Sequence, residues 1–329
     1  MVRGELRDLM KKRIFIKDIE SNKNEISKTL PSLKIDSVIL EQNGKIDKVF
    51  YNDDILHELR SCSKILVAMA IGIAIDKRML VNGEPLSLQT KVYQTLKNIT
   101  NITNKNNIEK IESWTIRDLV THTTGYECQM MSERFIKNIP KDTLLNYALN
   151  YNIPYEVGTR FAYNNVEPFI ISVFFQEAFN INLMQFINDN IFKKLDITEY
   201  SWELYGKYCS AATGLYMKHS DFHKIGQILL NDGVYNNKEI VSKEWVREMC
   251  KKQLETPLAY KTERVLPKIG IGYYTFISRD GYIFRDGSNG QYIILNKDKN
   301  LLITIMSTEK DMKNVTEILR GLIWDIKKC

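Results

Sequence analysis

Ser61-Cys62-Ser63-Lys64 runs directly into Ile65-Leu66-Val67-Ala68-Met69-Ala70-Ile71-Gly72-Ile73-Ala74-Ile75, a segment with no charged residue. An apolar run of this length, apolar on every side, reads as a helix buried inside the protein. Residues i and i+3 of a helix share a face, so the Ser61 hydroxyl and the Lys64 amine are one turn apart. The helix directs its N-terminus, with unpaired N–H groups and partial positive charge, at Ser61. A serine nucleophile partnered by lysine needs this arrangement. Cys62 points about 100° away from that face. A second copy of the pattern, Ser307-Thr308-Glu309-Lys310, follows the strand-like run 301–306 and has no helix behind it.

The chain has 329 residues, 44% hydrophobic and 26% charged, enough for a sizeable core in one body or two closely packed lobes. A formal charge of +6, with Lys and Arg scattered, does not suggest nucleic-acid binding. No stretch approaches the ~20 apolar residues of a membrane span. The opening residues Met1 to Arg7 lack the apolar centre of a signal peptide, so a cytoplasmic location is expected. The five cysteines (62, 128, 209, 250, 329) are widely spaced without C-x-x-C, which signals neither a disulfide framework nor zinc.

Strands are predicted over 36–42 and 45–51, joined by the Asn43-Gly44 pair of a type I′ hairpin, and over 272–278, 282–285, 291–295 and 301–306. Val315, Ile318, Leu319, Leu322, Ile323 and Ile326 fall at helical spacing and predict an amphipathic C-terminal helix. Between these ends helices are expected over 115–122, 143–150, 167–179, 182–194, 220–231 and 242–252. The fold class is therefore α+β, with an antiparallel sheet drawn from both ends of the chain. The sheet domain is expected at 1–79 and 256–329, with a mostly helical domain inserted at 80–255.

Tyr163-Asn164-Asn165 supplies what a Ser–Lys pair still needs, a second group to manage protons. Tyr163 or a desolvated Lys64 could serve as base, and Asn165 could steady Lys64 while donating to substrate. A decoy, Tyr235-Asn236-Asn237, sits in a turn-like stretch after Asp232-Gly233. His219 and His223 are spaced i and i+4, but without a metalloprotease's acid-rich pattern they read as the solvated start of a helix.

Four segments in order, Ser61-x-x-Lys64, Trp114-Thr115-Ile116-Arg117-Asp118-Leu119-Val120-Thr121-His122-Thr123-Thr124-Gly125, Phe161-Ala162-Tyr163-Asn164-Asn165 and Gly287-Ser288-Asn289-Gly290-Gln291-Tyr292, resemble the class C β-lactamase-like serine hydrolases. That superfamily includes class C β-lactamases, DD-peptidases, esterases and 6-aminohexanoate-dimer hydrolases. Residues 212–233 look most like the esterase and 6-aminohexanoate-dimer hydrolase branch. The resemblance covers nearly the whole chain from about residue 30. It implies the β-lactamase/transpeptidase-like fold, an antiparallel sheet flanked by N- and C-terminal helices. It selects Ser61 as nucleophile and Lys64 and Tyr163 as acid and base, and makes His122 a structural residue in a helix-ending turn away from the nucleophile. Asn165 orients, and backbone N–H groups of Ser61 and near Gly287 or Ser288 form the oxyanion hole. No metal or organic cofactor is implied.

The chain departs from the family in its third motif. Where a Lys or His is followed by Thr-Gly, this sequence has Phe284-Arg285-Asp286-Gly287-Ser288. In β-lactamases that cation and hydroxyl help hold the substrate carboxylate. The expectation is accordingly a hydrolase of small esters or amides working through an acyl-enzyme. A β-lactam-binding sensor that is acylated without turnover, or a true β-lactamase or DD-peptidase, stays open as an alternative. Oligomeric state is open too.

Overall fold

Asn43 and Gly44 both adopt left-handed backbone (φ 51° and 77°), closing the expected hairpin between strands Ile35–Gln42 and Lys45–Phe50. The computed structural model describes residues 34–50, 54–127, 129–261 and 266–311 of the protein. The hairpin docks on the last described strand, Leu301–Ser307, with Val38 opposite Ile305 and Leu40 opposite Ile303. Together they complete one eight-stranded antiparallel sheet, in which Leu254–Glu255, Gly270–Ile271, Phe276–Ile277, Ile283–Gly287 and Gln291–Asn296 lead across to Leu301–Ser307, then Ile35–Gln42 and Lys45–Phe50. The sheet thus joins both ends of the described chain, as expected of the β-lactamase/transpeptidase-like fold. The expected C-terminal helix and the N-terminal flank lie outside the described residues.

Most expected elements stand within a residue or two of their observed bounds, and two differ. The run 272–278 is not one strand: Gly272 N–H bonds Thr275 O at 2.8 Å and Tyr274 has φ 56°, so the chain turns between two short strands. That turn buries Tyr273 and Tyr274 against the helices, where Tyr274 Oη donates to Leu119 O at 3.0 Å. The expected helix 182–194 breaks at Ile191 into Leu183–Asn190 and a 3₁₀ turn, Phe192–Leu195. A further three-stranded sheet, in the order Leu56–Glu58, Leu215–Lys218, Tyr200–Trp202, went unforeseen because its strands are only three or four residues long.

His219 and His223 open the helix His219–Leu230 and are buried, not solvated. This helix packs on the sheet, and both imidazoles meet Thr304 Oγ1, at 2.9 and 2.8 Å, while His223 also reaches Glu41 at 3.1 Å. Buried polar groups need such partners.

Helix Lys64–Asp76 is buried from Lys64 to Ala74 and packs against helices Val166–Phe179, Leu183–Asn190 and Lys243–Met249. An apolar surface all round suits a helix enclosed on every side. Among the described residues no single helix is long and apolar enough to cross a membrane; Val166–Phe179 and Leu183–Leu195 qualify by composition only as a pair, bent by 83°.

Trp245 presses on the nucleophile helix at Gly72 and donates Nε1–H to Ala68 O at 2.9 Å. A Cβ at position 72 would sit 2.2 Å from the indole Cδ1. Gly72→Ala should therefore displace Trp245 and destabilise the fold by about 1–3 kcal/mol, the usual cost of overpacking. Urea unfolding followed by tryptophan fluorescence checks this, and an unchanged midpoint would contradict it.

Candidate active site

The strand Leu56–Glu58 delivers the chain to Ser61, with Leu59 N–H tied to Leu215 O at 2.7 Å. Arg60 then takes left-handed backbone (φ 50°) and starts a 3₁₀ turn, Arg60–Ser63, that continues into helix Lys64–Asp76. With three residues per turn, positions i and i+3 eclipse. Ser61 Oγ consequently lies 3.1 Å from Lys64 Nζ. The sheet strand Ile283–Gly287 lies directly on this turn, and a side chain at Gly287 would meet Arg60 Cβ and Leu59 O, each at 2.9 Å. Only glycine lets the strand's end come so near the nucleophile.

Lys64 is fully buried, and three oxygens surround its amine: Ser61 Oγ, Asn165 Oδ1 at 2.8 Å and Ala212 O at 2.8 Å. Burial, assisted by the Arg285 charge, holds its pKa well below the ordinary lysine value. The Ala212 carbonyl comes from a turn in which Ala211 has φ 60° and accepts a hydrogen bond from Ser63 Oγ at 3.0 Å. Asn165 keeps its amide oriented by donating Nδ2–H to Met131 O at 3.1 Å.

Tyr163 Oη donates to Ser61 Oγ at 2.7 Å. Arg285, fully buried, donates Nη2–H to Tyr163 Oη at 2.7 Å and Nε–H to Ser61 O at 3.0 Å. Burial raises the Tyr163 pKa despite the opposing Arg285 charge, so the phenol keeps its proton; the phenolate weighed from sequence is disfavoured. Asp286, next along the strand, points the other way and pairs with Lys268 at 2.8 Å. Cys62 is buried with its thiol on the carbonyls of Arg285 and Gln291 (3.6 and 3.7 Å), away from the Ser61 hydroxyl, and burial raises its pKa.

Ser61, Asn165 and Ser288 line one open cleft of about 1000 Å³. Met131, Ile136, Ile139 and Trp202 supply apolar wall, while Arg60, Lys137, Lys141 and Lys310 and the carboxylates of Glu58, Glu133 and Glu203 add charge of both signs. The structure thus brings Ser61, Lys64, Tyr163 and Asn165 into mutual contact, with Gly287 against the same turn and Ser288 on the cleft. Of the decoys, Ser307 is buried at the end of a strand although its partner Lys310 lines the cleft, and Asn236 and Asn237 (φ 47° and 60°) turn a small hairpin. Strand alternation leaves open which of Arg285 and Asp286 turns inward, and the structure sends Arg285; the Ala212 carbonyl was missed. His122 differs from its expected place away from the nucleophile, since its ring packs on Tyr163 with centroids 5.0 Å apart. Among the described residues no cluster of three or more His, Cys, Asp or Glu is placed to hold a metal.

Comparison with family models matches residues 42–326 to the family described as Beta-lactamase. The chain belongs to the beta-lactamase family. This beta-lactamase-family protein is a hydrolytic enzyme of the serine hydrolase kind. Among solved structures it is similar to EstCE1, a hydrolase with promiscuous acyltransferase activity (TM-score 0.73, 12% identity, covering 93% of this chain and 98% of that one). It is similar also to a candidate 6-aminohexanoate-dimer hydrolase from Bacillus anthracis (TM-score 0.70, 17% identity, 92% and 80% covered). The penicillin-binding protein from Bacillus halodurans is a third (TM-score 0.69, 14% identity, 91% and 99% covered). At such identities the likeness is one of fold. No curated protein sequence matches.

A lysine neutral in the fold but protonated when unfolded makes the unfolded state bind more protons, so stability rises with pH between the depressed pKa and the ordinary one near 10.4. Thermal unfolding of the wild type should gain on that of Lys64→Met as pH is raised through this window. Parallel pH profiles for the two proteins would mean that Lys64 is charged in the fold.

Proposed function

We propose that this beta-lactamase-family enzyme hydrolyses a small ester or amide through an acyl-enzyme on Ser61, with Lys64 as base and Tyr163 as proton donor. The observation that carries the reading is the set of contacts at Lys64. A neutral amine has two N–H groups and one lone pair. Asn165 Oδ1 and the Ala212 carbonyl have no proton to give, so they take the two N–H groups and leave the lone pair for the Ser61 O–H. The serine proton then passes to Lys64 as Oγ attacks the substrate carbonyl. Backbone N–H groups of Ser61 and of Ser288, on the glycine-ended strand, stabilise the oxyanion. Tyr163, its oxygen held by Arg285, protonates the leaving group and, with Lys64, later activates water.

The cleft volume, at the upper end for small-molecule sites, admits a small ester or amide with room to spare, and its apolar wall favours one with hydrocarbon character. Arg285, the one cation in the strand segment 283–288, is committed to Tyr163 and to the Ser61 carbonyl. A β-lactam carboxylate would therefore have to meet Arg60, Lys137, Lys141 or Lys310 of the cleft lining in place of a strand cation, which favours neutral esters and amides as substrates.

Ser61→Ala should abolish labelling by a fluorophosphonate probe while Cys62→Ala and Ser63→Ala retain it. With p-nitrophenyl acetate the wild type should turn over steadily; one equivalent of product followed by silence would favour an acylated sensor instead. Lys64→Ala and Tyr163→Phe should each lower kcat by about 10²-fold or more, and together by less than the product, because they act as one unit. Tyr235→Phe should match wild type. The ratio of kcat/KM for the ester to that for nitrocefin should be at least ~10², about 2.7 kcal/mol in transition-state stabilisation. Efficient nitrocefin hydrolysis would restore the β-lactamase reading.

A further inference from the structure

Glu167 stands in the first turn of helix Val166–Phe179 with no exposure to solvent. Its Oε1 accepts Thr124 O–H at 2.7 Å and Asn164 Nδ2–H at 2.9 Å, and its Oε2 faces His122 Nδ1 at 3.0 Å. Three donors on two oxygens suit an acceptor-only carboxylate. His122 is itself fully buried, and burial lowers its pKa against the opposing pull of Glu167, so a neutral ring with its proton on Nδ1 makes this bond. His122 Nε2 is buried and has no hydrogen-bond partner among the described residues.

Both segments gripped by this carboxylate touch the catalytic groups. Asn164 lies between Tyr163 and Asn165, and the His122 ring packs on the Tyr163 ring. Ala162 N–H, just before Tyr163, bonds the His122 carbonyl at 2.9 Å. We infer that Glu167 is a positioning residue, whose buried carboxylate bolts the 122–124 turn to Asn164 and so holds Tyr163 and Asn165 on Ser61 and Lys64. The inference rests on the proposed serine mechanism. Glu167 has a second, electrostatic effect: its charge favours protonated Lys64, against burial and Arg285, which favour the neutral amine.

Glu167→Gln separates shape from charge. The amide nitrogen in the place of Oε2 would face the His122 Nδ1–H, a clash that the imidazole relieves by moving its proton to Nε2. The experiment measures kcat and KM for p-nitrophenyl acetate against pH in the wild type, Glu167→Gln and Glu167→Ala, with Ser61→Ala as blank, alongside melting temperatures. Histidine ¹⁵N shifts of the wild type and Glu167→Gln report the tautomer; the chain has four histidines. Glu167→Ala should lower kcat about 10²-fold with KM changed by less than about threefold, as expected when catalytic groups slip from position. Glu167→Gln should retain more activity, move the acid limb of kcat/KM to lower pH and switch His122 to the Nε2–H tautomer.

A folded Glu167→Ala that keeps the wild-type kcat overturns the inference; where Glu167→Ala fails to fold, a Glu167→Gln that keeps the wild-type kcat, the wild-type acid limb and the Nδ1–H tautomer of His122 overturns it. Turnover that survives in Ser61→Ala overturns the serine mechanism and this inference with it. An inactive Ser61→Ala blank beside Glu167 variants at wild-type rates overturns the positioning role alone.

Discussion

A lysine amine sealed from water sets the terms for everything around it. An isolated buried ammonium is costly, whereas a neutral amine needs only hydrogen-bond partners. Two of those partners come from far along the chain, the side chain of Asn165 and the backbone of Ala212. Each arrives on a segment fixed by its own local geometry, the loop that enters helix Val166–Phe179 and the left-handed turn at Ala211. The apolar helix behind Lys64 completes the enclosure, because none of its side chains can hydrate or neutralise the amine. The packing that builds the core is also what desolvates the Lys64 amine.

Arg285 extends the same logic to the tyrosine. A lysine at this position would be a compact point charge, whereas the planar guanidinium presents several donors in a fixed fork. That fork reaches both the Tyr163 hydroxyl and the Ser61 carbonyl, linking the sheet to the nucleophile turn. Strand alternation sends Asp286 to the opposite face, where Lys268 neutralises it and lies 3.9 Å from the Phe276 ring centroid. Arg285 thus faces the Ser61 turn, while the Asp286 carboxylate is turned away from Tyr163.

The elements with long, regular patterns were legible from sequence: the buried helix after Ser61, the Asn-Gly hairpin and the apolar strands 291–296 and 301–307. Ser61 and Tyr163 were separable from their decoys because Ser307 follows an apolar run of strand length and Tyr235-Asn236-Asn237 has turn composition. Arg285 was harder. Alternation says that one of Arg285 and Asp286 faces the site, but the choice depends on register against the nucleophile turn, which no local pattern encodes. The Ala212 contribution left no side-chain signature, since a backbone carbonyl belongs to every residue. His219 and His223 misled because histidines at a helix start read as polar surface, and only the sheet packed on them, with Thr304 and Glu41, supplies their partners.

On the proposed mechanism Arg285 donates to Tyr163 and Tyr163 to Ser61, and a Lys64 amine that is neutral takes the Ser61 proton across their 3.1 Å contact. The direction follows from the two ends, because Arg285 can only donate and a neutral Lys64 has one free lone pair. Acylation takes the serine proton at the lysine end and leaves Ser61 Oγ bonded to the acyl carbon. The leaving group then needs a proton, and the Tyr163 hydroxyl, 2.7 Å from Ser61 Oγ, is at hand to supply it. Arg285 favours release of that proton, since its charge offsets the burial that otherwise holds the phenol neutral. Placing a permanent cation at the tyrosine and a titratable one at the serine divides the work: the first stabilises a transient phenolate, and the second becomes charged only after Ser61 has given up its proton.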